Sequence, residues 1–244
     1  MCGFAGFSDL QEEFSGQEQH WLDLARRMAR RLAHRGPDSQ GAHLSRHCAL
    51  AHARLAVMDP EHGAQPMSLP WRGQEVTIAY NGELYNAPEL RGQLEERGFS
   101  FQTRCDTEVV LAAYLAFGPD CVEQFNGIFA FAVDDPVNRR VFLCRDRFGV
   151  KPLFYTLQEH RLAFASEIKG LLEFPGVSPV VGREGLCELF GLGPARTPGC
   201  GVFQGIRELR PGHMAVFDRL GFREIPHFDL EAQPHGESYP ETVE

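Results

Sequence analysis

The chain has 244 residues, a length that fits one large domain or two small ones. Its hydrophobic fraction of 43% is that of an ordinary globular protein, and its net charge of -9 is spread along the chain, which argues against a nucleic-acid-binding protein. No apolar run approaches the roughly 20 residues that span a bilayer, so we expect no membrane segment.

Seven cysteines are scattered along the chain, and no two of them form a Cys-x-x-Cys pair. The odd count and the spacing argue against a disulfide framework or a zinc ribbon and favour a reducing compartment. The first residues also lack the basic and apolar regions of a secretory signal. We therefore expect a cytoplasmic protein, and we expect no metal site because the ten histidines are likewise dispersed.

Hydrophobic periodicity in the first half of the chain predicts three helices and three strands. The clearest helix covers residues 18–33, where apolar residues recur at three- and four-residue steps. Arginines late in that segment lie on its other faces, and we interpret them as a solvated surface. The other helices are predicted over residues 87–97 and 106–117, and the strands over residues 3–7, 48–58 and 75–80.

The second half of the chain is dominated by strands that come in hairpin-sized pairs. Short helices are predicted over residues 167–173 and 183–190, and the polar, acidic residues 231–244 are typical of a linker. Paired strands with helices inserted between them favour an α+β fold with antiparallel sheets. The pairs are predicted over residues 128–134 and 140–145, 153–156 and 161–165, and 213–217 and 222–227.

The residue that follows the initiator methionine is a cysteine, Cys2. Its small size favours removal of Met1, which would leave Cys2 with a free α-amine. Such an amine titrates near ~8 and a thiol near ~8.5, so the amine can accept the thiol proton directly or through one water. This is the N-terminal-nucleophile arrangement, although most cysteines at this position are incidental.

The Asn81-Gly82 pair follows the predicted strand over residues 75–80. Attack on an amide carbonyl builds an oxyanion, and an Asn side chain with a neighbouring backbone N–H can stabilise it. The alternative is a plain hairpin turn, because Asn-Gly is the commonest signal for one. Taken alone, the pair favours the turn.

Two charged residues stand in unusual places. Arg54 lies inside an otherwise apolar strand and must be paired or face a ligand; its planar fork suits a carboxylate, and the alternative is a structural ion pair. Asp106 could bind a substrate ammonium group, and the alternative is a helix N-cap. The charged segment from Arg145 to Pro152 is interpreted as an internal salt-bridge loop.

At this point the ordered motifs resemble those of the class II glutamine amidotransferases and, within them, the asparagine synthetases. The similarity runs along nearly the whole chain. The segment from Gly205 to His213 resembles the one that leads into the synthetase domain. The other motifs that carry the resemblance are MCGFAGF, HRGPDSQG, HARLAVMD, HGAQPM, YNGELYN, CDTEVVL, FNGIFAFAVDD, RDRFGVKPLFY and ASEIKGLLEFP.

The resemblance implies a four-layer αββα N-terminal-nucleophile hydrolase sandwich over residues 2–230, with two antiparallel sheets between helices. It implies that Cys2 is the nucleophile and that Asn81 and Gly82 form the oxyanion hole. Arg54 is implied to grip the glutamine carboxylate, while Glu83 and Asp106 hold the α-amino end. The pocket wall is implied to consist of Leu55, Ala56, Val57 and Met58, the last of which departs from the family's usual β-branched residue.

The implied substrate is L-glutamine, with no cofactor. A further ATP-dependent synthetase domain, with ATP and Mg²⁺, is expected beyond the linker at residues 231–244; a homodimer is compatible with the resemblance. The resemblance implies that the ammonia amidates aspartate. One alternative is a glutaminase attached to another amide-forming synthetase, and another is a non-catalytic binding module that keeps the fold.

Overall fold

A computed structural model describes residues 1–193 and 195–230 of the chain. Its helices are α1 (Glu18–Arg30), α2 (Ala87–Glu96), α3 (Asp106–Phe117), α4 (Ile168–Leu171) and α5 (Arg183–Gly191). Its strands are β1 (Gly3–Asp9), β2 (Ser39–Leu44), β3 (Cys48–Arg54), β4 (Met67–Trp71), β5 (Gln74–Leu84), β6 (Gly127–Asp135), β7 (Arg140–Arg145), β8 (Phe154–Gln158), β9 (Arg161–Ala165), β10 (Ile206–Glu208), β11 (His213–Asp218) and β12 (Gly221–Pro226).

The strands form two six-stranded sheets in which neighbouring strands are antiparallel. The first sheet has the order β10-β8-β9-β1-β3-β2, and the second has the order β12-β11-β7-β6-β5-β4. In the first sheet β1 is central and pairs with β3 and β9. In the second sheet β5 pairs with β6 over residues 77–84, but with β4 only as far as Ile78. The predicted antiparallel α+β fold is confirmed.

Three buried clusters define four layers. One packs α1 and α4 on the outer face of the first sheet, and another packs α2 and α3 on the outer face of the second. The third lies between the two sheets and contains Phe4, Leu50, Ala79 and Ala132. Because side chains alternate across a strand, β3 sends Ala49, Ala51 and Ala53 towards α1 and its other side chains towards the second sheet.

The buried and exposed faces of the first helical segment confirm the predicted periodicity. Ala25, Met28 and Leu32 are buried, whereas Arg26 and Arg30 are exposed, as expected of a solvated face. The first helix ends at Arg30 and is followed by turns, somewhat earlier than predicted. The third helix begins at Asp106 as predicted, but its N-cap residue is Cys105.

Two local predictions were wrong. Asn81 and Gly82 do not form a turn, because β5 continues through them to Leu84 and pairs with β6 along this stretch. The strand predicted over residues 48–58 ends at Arg54, and the residues after it form an irregular segment. The strands β2, β4 and β10 were not predicted, while the predicted pairs in the second half are confirmed.

No helix within residues 1–193 and 195–230 is long and apolar enough to cross a membrane. The predicted linker over residues 231–244 lies outside the described residues.

Candidate active site

Cys2 lies immediately before β1, and its side chain shares a face with that of Phe4, towards the second sheet. The Leu55 N–H donates to Cys2 Sγ at 3.3 Å, and Sγ is 3.5 Å from the Leu55 carbonyl oxygen. These two contacts with the backbone of Leu55 fix the position of the sulfur. The preceding residue, Met1, is 60% exposed.

The backbone of Cys2 is held from the other side by Arg35. Arg35 Nε donates to the Cys2 carbonyl at 2.9 Å, and Arg35 NH1 lies 2.7 Å from Glu167 Oε1. Burial works to raise the pKa of Glu167, but hydrogen bonds from Arg35, Lys169 and His34 outweigh it and lower the pKa to about 2. The ionised carboxylate therefore anchors Arg35, and Arg35 fixes the nucleophile's backbone.

Cys2 opens onto a cleft of about 300 Å³ between the ends of the two sheets. Among the predicted wall residues, Ala56 does not line this cleft, and its N–H donates instead to Asp38 Oδ2 at 2.8 Å. The other predicted site residues do line it, namely Cys2, Arg54, Leu55, Val57, Met58, Asn81, Gly82, Glu83 and Asp106. The structure thus brings together residues that are up to 104 positions apart in sequence.

Arg54 ends β3 with its guanidinium inside the loop that follows. NH1 donates to the Pro60 carbonyl at 2.8 Å, and NH2 donates to the carbonyls of Asp59 at 2.7 Å and Met58 at 3.2 Å. A guanidinium has five N–H donors, so these bonds leave others for a ligand. The partners of the guanidinium among the described residues are backbone carbonyls, which do not neutralise its charge. The structural ion pair considered from the sequence is not found there, and the role in binding a carboxylate stays a prediction.

Gly63 makes room for that guanidinium. A Cβ at this position would lie 2.4 Å from Arg54 NH2 and 2.5 Å from Cys105 Sγ. Cys105 is a second thiol in the cleft, and burial raises its pKa. A thiol held protonated is a poor nucleophile, so Cys105 does not compete with Cys2 for that role.

The most informative backbone feature is the open edge of β5 beyond Ile78. Phe129, opposite Gly82 on β6, directs its N–H and its carbonyl at Asp146, away from β5. In an antiparallel ladder the N–H and carbonyl groups of successive residues point alternately to one neighbouring strand and to the other. Because those of Phe129 point away from β5, those of Tyr80, Gly82 and Leu84 point away from β6, towards the open edge. Those groups must find partners outside the sheet or remain available to a ligand.

Side chains supply most of these partners. Gln65 Oε1 accepts from the Tyr80 N–H at 2.7 Å, and Asp106 Oδ2 accepts from the Leu84 N–H at 2.9 Å. His52 Nε2 lies 3.0 Å from the Tyr80 carbonyl oxygen. By the same alternation the Gly82 N–H faces the open edge between these bonded groups, and Gly82 lines the cleft.

The Asn81 side chain supplies a second donor. It is 2% exposed, and its Nδ2 has no hydrogen-bond partner among the described residues. A buried polar atom without a partner costs about 1–3 kcal/mol, which a ligand's oxygen would recover. Gly82 has to be glycine here, because a Cβ would lie 2.6 Å from the Ile128 carbonyl oxygen and 2.7 Å from the Tyr80 hydroxyl.

Two carboxylates line the same cleft in different environments. Glu83 is exposed, whereas Asp106 is buried and accepts a hydrogen bond from the Tyr80 hydroxyl at 2.9 Å. Burial raises the pKa of Asp106 despite the hydrogen bonds from Leu84 and Tyr80. A ligand cation beside it would favour its ionised form.

Sequence reasoning missed Gln65 and Lys151, which line the cleft, and His52, which contacts the site only through the Tyr80 carbonyl. Lys151 lines the cleft, and it is one of only two lysines in the chain, which is a signal that could have found it. The rest of its loop is structural as interpreted, because Arg145 is held by Glu208 at 2.9 Å and by backbone carbonyls. His52 and Gln65 act through backbone groups, which sequence motifs do not reveal.

The described residues also bear on the expectation that the protein has no metal site. Within residues 1–193 and 195–230, no three His, Cys, Asp or Glu side chains converge as a metal ion requires. The expected absence of a metal and of a cofactor from the reaction stays a prediction.

The two stacked antiparallel sheets with outer helices form the αββα fold expected from the sequence. The glutamine phosphoribosylpyrophosphate amidotransferase of Bacillus subtilis superposes with a TM-score of 0.65 at 19% identity, covering 93% of this chain and 49% of that one. That likeness confirms the αββα fold. The chain belongs to the family described as "Glutamine amidotransferase domain", which it matches over residues 1–228.

Curated relatives refine the assignment. The chain is 44% identical over 243 residues to the glutamine-hydrolysing asparagine synthetase 3 of Bacillus subtilis, covering 100% of this chain and 39% of that protein. It is 36% identical to the glutamine-hydrolysing asparagine synthetase B of Escherichia coli, covering 76% of this chain and 34% of that protein. The chain therefore spans well under half the length of these relatives.

Proposed function

We propose that this chain hydrolyses L-glutamine to L-glutamate and ammonia, with Cys2 as the nucleophile. The observation that carries the proposal is the geometry around the cleft. Cys2 Sγ is held by the Leu55 amide. Asn81, whose Nδ2 has no partner among the described residues, and Gly82 line the same cleft. Membership of the glutamine amidotransferase family supports the choice of substrate.

The first step follows from the chemistry of a processed N-terminus. Once Met1 has been removed, the Cys2 α-amine accepts the thiol proton, and sulfur attacks the γ-carbonyl carbon of glutamine. The C–S bond forms, and the carbonyl π electrons move to oxygen. The Asn81 Nδ2–H and the Gly82 N–H donate to this oxyanion, and their positions are fixed before the substrate arrives.

The second step releases the products. The carbonyl re-forms as the C–N bond breaks, and the α-amine returns its proton to the leaving ammonia. A water then attacks the thioester, with the same amine accepting a proton, and the C–S bond breaks to give glutamate and the free thiol. Two donors thus serve both tetrahedral intermediates.

The ends of the substrate are assigned by charge. Arg54 keeps N–H donors beyond those that bind its loop, and its fork suits the α-carboxylate. Asp106 and Glu83 supply negative charge for the α-ammonium group. Leu55, Val57 and Met58 form the wall, whereas Ala56 is left out of it.

The ammonia acceptor is a separate part of the proposal. Both relatives described above are named asparagine synthetases, which supports aspartate as the acceptor and a synthetase domain beyond this chain. We accordingly assign residues 2–230 to the glutaminase and 231–244 to the connection. In this proposal, ATP and Mg²⁺ belong to the synthetase part. A homodimer and a cytoplasmic location remain predictions.

One comparison keeps another acceptor open. The chain is 31% identical to the "Amidase chry2" of Gibberella zeae, covering 95% of this chain and 35% of that protein. Sequences similar to this one therefore also occur in proteins that are not named asparagine synthetases. A non-catalytic module is disfavoured by the cysteine at the mouth of the cleft.

The test is glutamate release from glutamine by chain whose intact mass shows the loss of Met1. The Cys2→Ala variant should release none and remain folded. The Cys187→Ala variant, altered at an exposed cysteine of α5, should match the wild type. Equal release from Cys2→Ala, or none from the processed wild type, contradicts the proposal.

A further inference from the structure

His52 lies on β3 between the two sheets, two residues before Arg54 and opposite Phe4 of β1. Its side chain is fully buried, at 0% exposure. Its hydrogen bond among the described residues joins Nε2 to the Tyr80 carbonyl oxygen at 3.0 Å, and its buried Nδ1 has no partner there. The imidazole therefore links the sheet that carries Cys2 to the strand that carries Asn81 and Gly82.

The charge state of this imidazole follows from its surroundings. Burial lowers the pKa of His52 to about 4, the Tyr80 carbonyl opposes the shift, and the nearby Arg54 guanidinium adds to it. At neutral pH the ring is therefore uncharged. Because a carbonyl oxygen only accepts, the hydrogen is assigned to Nε2, and Nδ1 keeps its lone pair.

The Tyr80 carbonyl belongs to the peptide unit that Tyr80 shares with Asn81. Fixing this planar unit limits the backbone of Asn81 and, one peptide further on, the direction of the Gly82 N–H. If β4 continued along this edge, its backbone would satisfy the Tyr80 carbonyl and would also take the Gly82 N–H. The His52 side chain bonds to the Tyr80 carbonyl alone and leaves the Gly82 N–H available to a ligand.

We propose that His52 is a positioning residue for the oxyanion hole: its hydrogen bond to the Tyr80 carbonyl directs the Asn81 and Gly82 donors at the substrate's γ-oxygen. This inference rests on the proposed glutaminase function. His52 acts on the reaction only through these donors and takes no proton from the substrate. Its loss should therefore weaken binding of the tetrahedral oxyanion more than binding of ground-state ligands.

The variants are chosen to separate the hydrogen bond from the packing. His52→Leu keeps an apolar side chain in the layer but leaves the Tyr80 carbonyl without its donor. His52→Gln offers an amide N–H at a reach close to that of Nε2. His43→Leu is the matched control, because His43 Nε2 lies 3.2 Å from Thr77 Oγ1 in the same layer, away from the cleft.

The measurements are kcat and KM for glutamine, the affinity for the product glutamate, and the affinity for an aldehyde analogue of glutamine. The aldehyde carries CHO in place of the carboxamide, and the Cys2 thiol adds across its carbonyl. The C–S bond forms, the thiol proton moves to the amine or the new oxygen, and no group leaves. The product places an oxyanion or hydroxyl in the proposed hole.

We expect His52→Leu to lower kcat and aldehyde affinity by roughly tenfold or more, with KM and glutamate affinity within about threefold of the wild type. His52→Gln should recover most of that loss, and His43→Leu should alter thermal stability without lowering kcat.

The inference is overturned if His52→Leu keeps its kcat, if it loses aldehyde and glutamate affinity equally, or if His52→Gln is no better. A wild type that neither releases glutamate nor binds the aldehyde contradicts the proposed function itself, and the inference with it.

Discussion

The layer between the two sheets carries buried polar groups at both ends: an imidazole and an amide at one end, and a carboxyl group at the other. At the site end, His52 and Asn81 each have a buried nitrogen without a partner among the described residues; Asn81 lines the open cleft, and His52 lies two residues before Arg54, which lines it as well. At the far end, Asp134 on β6 has an Oδ2 without a hydrogen-bond partner in the described part of the chain, and it does not line that cleft. Burial lowers the pKa of His52 to about 4 and raises that of Asp134 to about 7. A perturbed pKa therefore marks burial, and only access to a ligand separates a site from a polar core.

The largest expected effect at the site end comes from Asn81→Ala. Removal of the Nδ2 donor should lower kcat by roughly 10²- to 10³-fold with little change in KM, because the bond strengthens only as the oxyanion forms. Steady-state kinetics of glutamate release measure this. A kcat within a factor of three of the wild type would remove Asn81 from the oxyanion hole.

Asp134→Asn probes the far end and should leave kcat unchanged while altering the pH dependence of stability. The carboxyl of Asp134 has a folded-state pKa of about 7, above the 3.8 of an ordinary aspartate. The folded protein thus holds a proton that the unfolded chain has lost between about pH 4 and 7, so this residue's stabilising contribution falls as pH rises through that window.

The asparagine variant does not titrate, so its stability relative to the wild type should increase from pH 4 to pH 8, by up to about 4 kcal/mol. Urea unfolding at pH 4.5, 6 and 8 measures the difference. A constant difference across these pH values would show that Asp134 is ionised in the folded protein. His52 acts with the opposite sign, because its lowered pKa removes stability as pH falls from about 6.5 to 4.

Arg54→Lys should raise KM for glutamine by roughly tenfold or more, because an ammonium group lacks the fork that binds a carboxylate and several carbonyls together. The matched control is Arg145→Lys, since Arg145 is equally buried and bound to carbonyls but does not line the cleft. The control should lower the melting temperature and leave KM in place. Equal KM values for wild type and Arg54→Lys would argue against the carboxylate role.

The smallest predicted effect belongs to Tyr80→Phe. Loss of the hydroxyl removes one hydrogen bond from Asp106 Oδ2, worth about 1 kcal/mol, and should raise the pKa of Asp106 further. We expect a KM increase of a few fold that becomes larger at low pH. A pH-independent KM ratio between variant and wild type would show that Asp106 does not bind the substrate's cation.

Much of the candidate site could be predicted from the sequence, because each chemical task of the proposed glutamine hydrolysis has its own residue type. Cys2, Arg54, Asn81 and Asp106 were singled out in this way, and they meet in one cleft. The same local reasoning failed for Asn81-Gly82 as a turn, since pairing with β6 over residues 77–84 outweighs the turn preference.

The unpredicted elements depend on tertiary partners. The strand β4 is an edge strand that contains Pro70, a residue that normally argues against a strand and is tolerated only at an edge. His52 and Gln65 were missed because their partners are the backbone groups of Tyr80, and no side-chain motif records which carbonyl lies open. Edge geometry appears only once the sheet has been assembled.

The proposed oxyanion hole therefore depends on how far β4 extends along β5. The ladder between β4 and β5 stops at the pair Met67 and Ile78. Pairing along four more residues of β5, from Ala79 to Gly82, would close the gap and bury the Gly82 donor inside an ordinary sheet. Evolution could silence this centre by an insertion that leaves every reacting side chain untouched, and an engineer could close or open it in the same way.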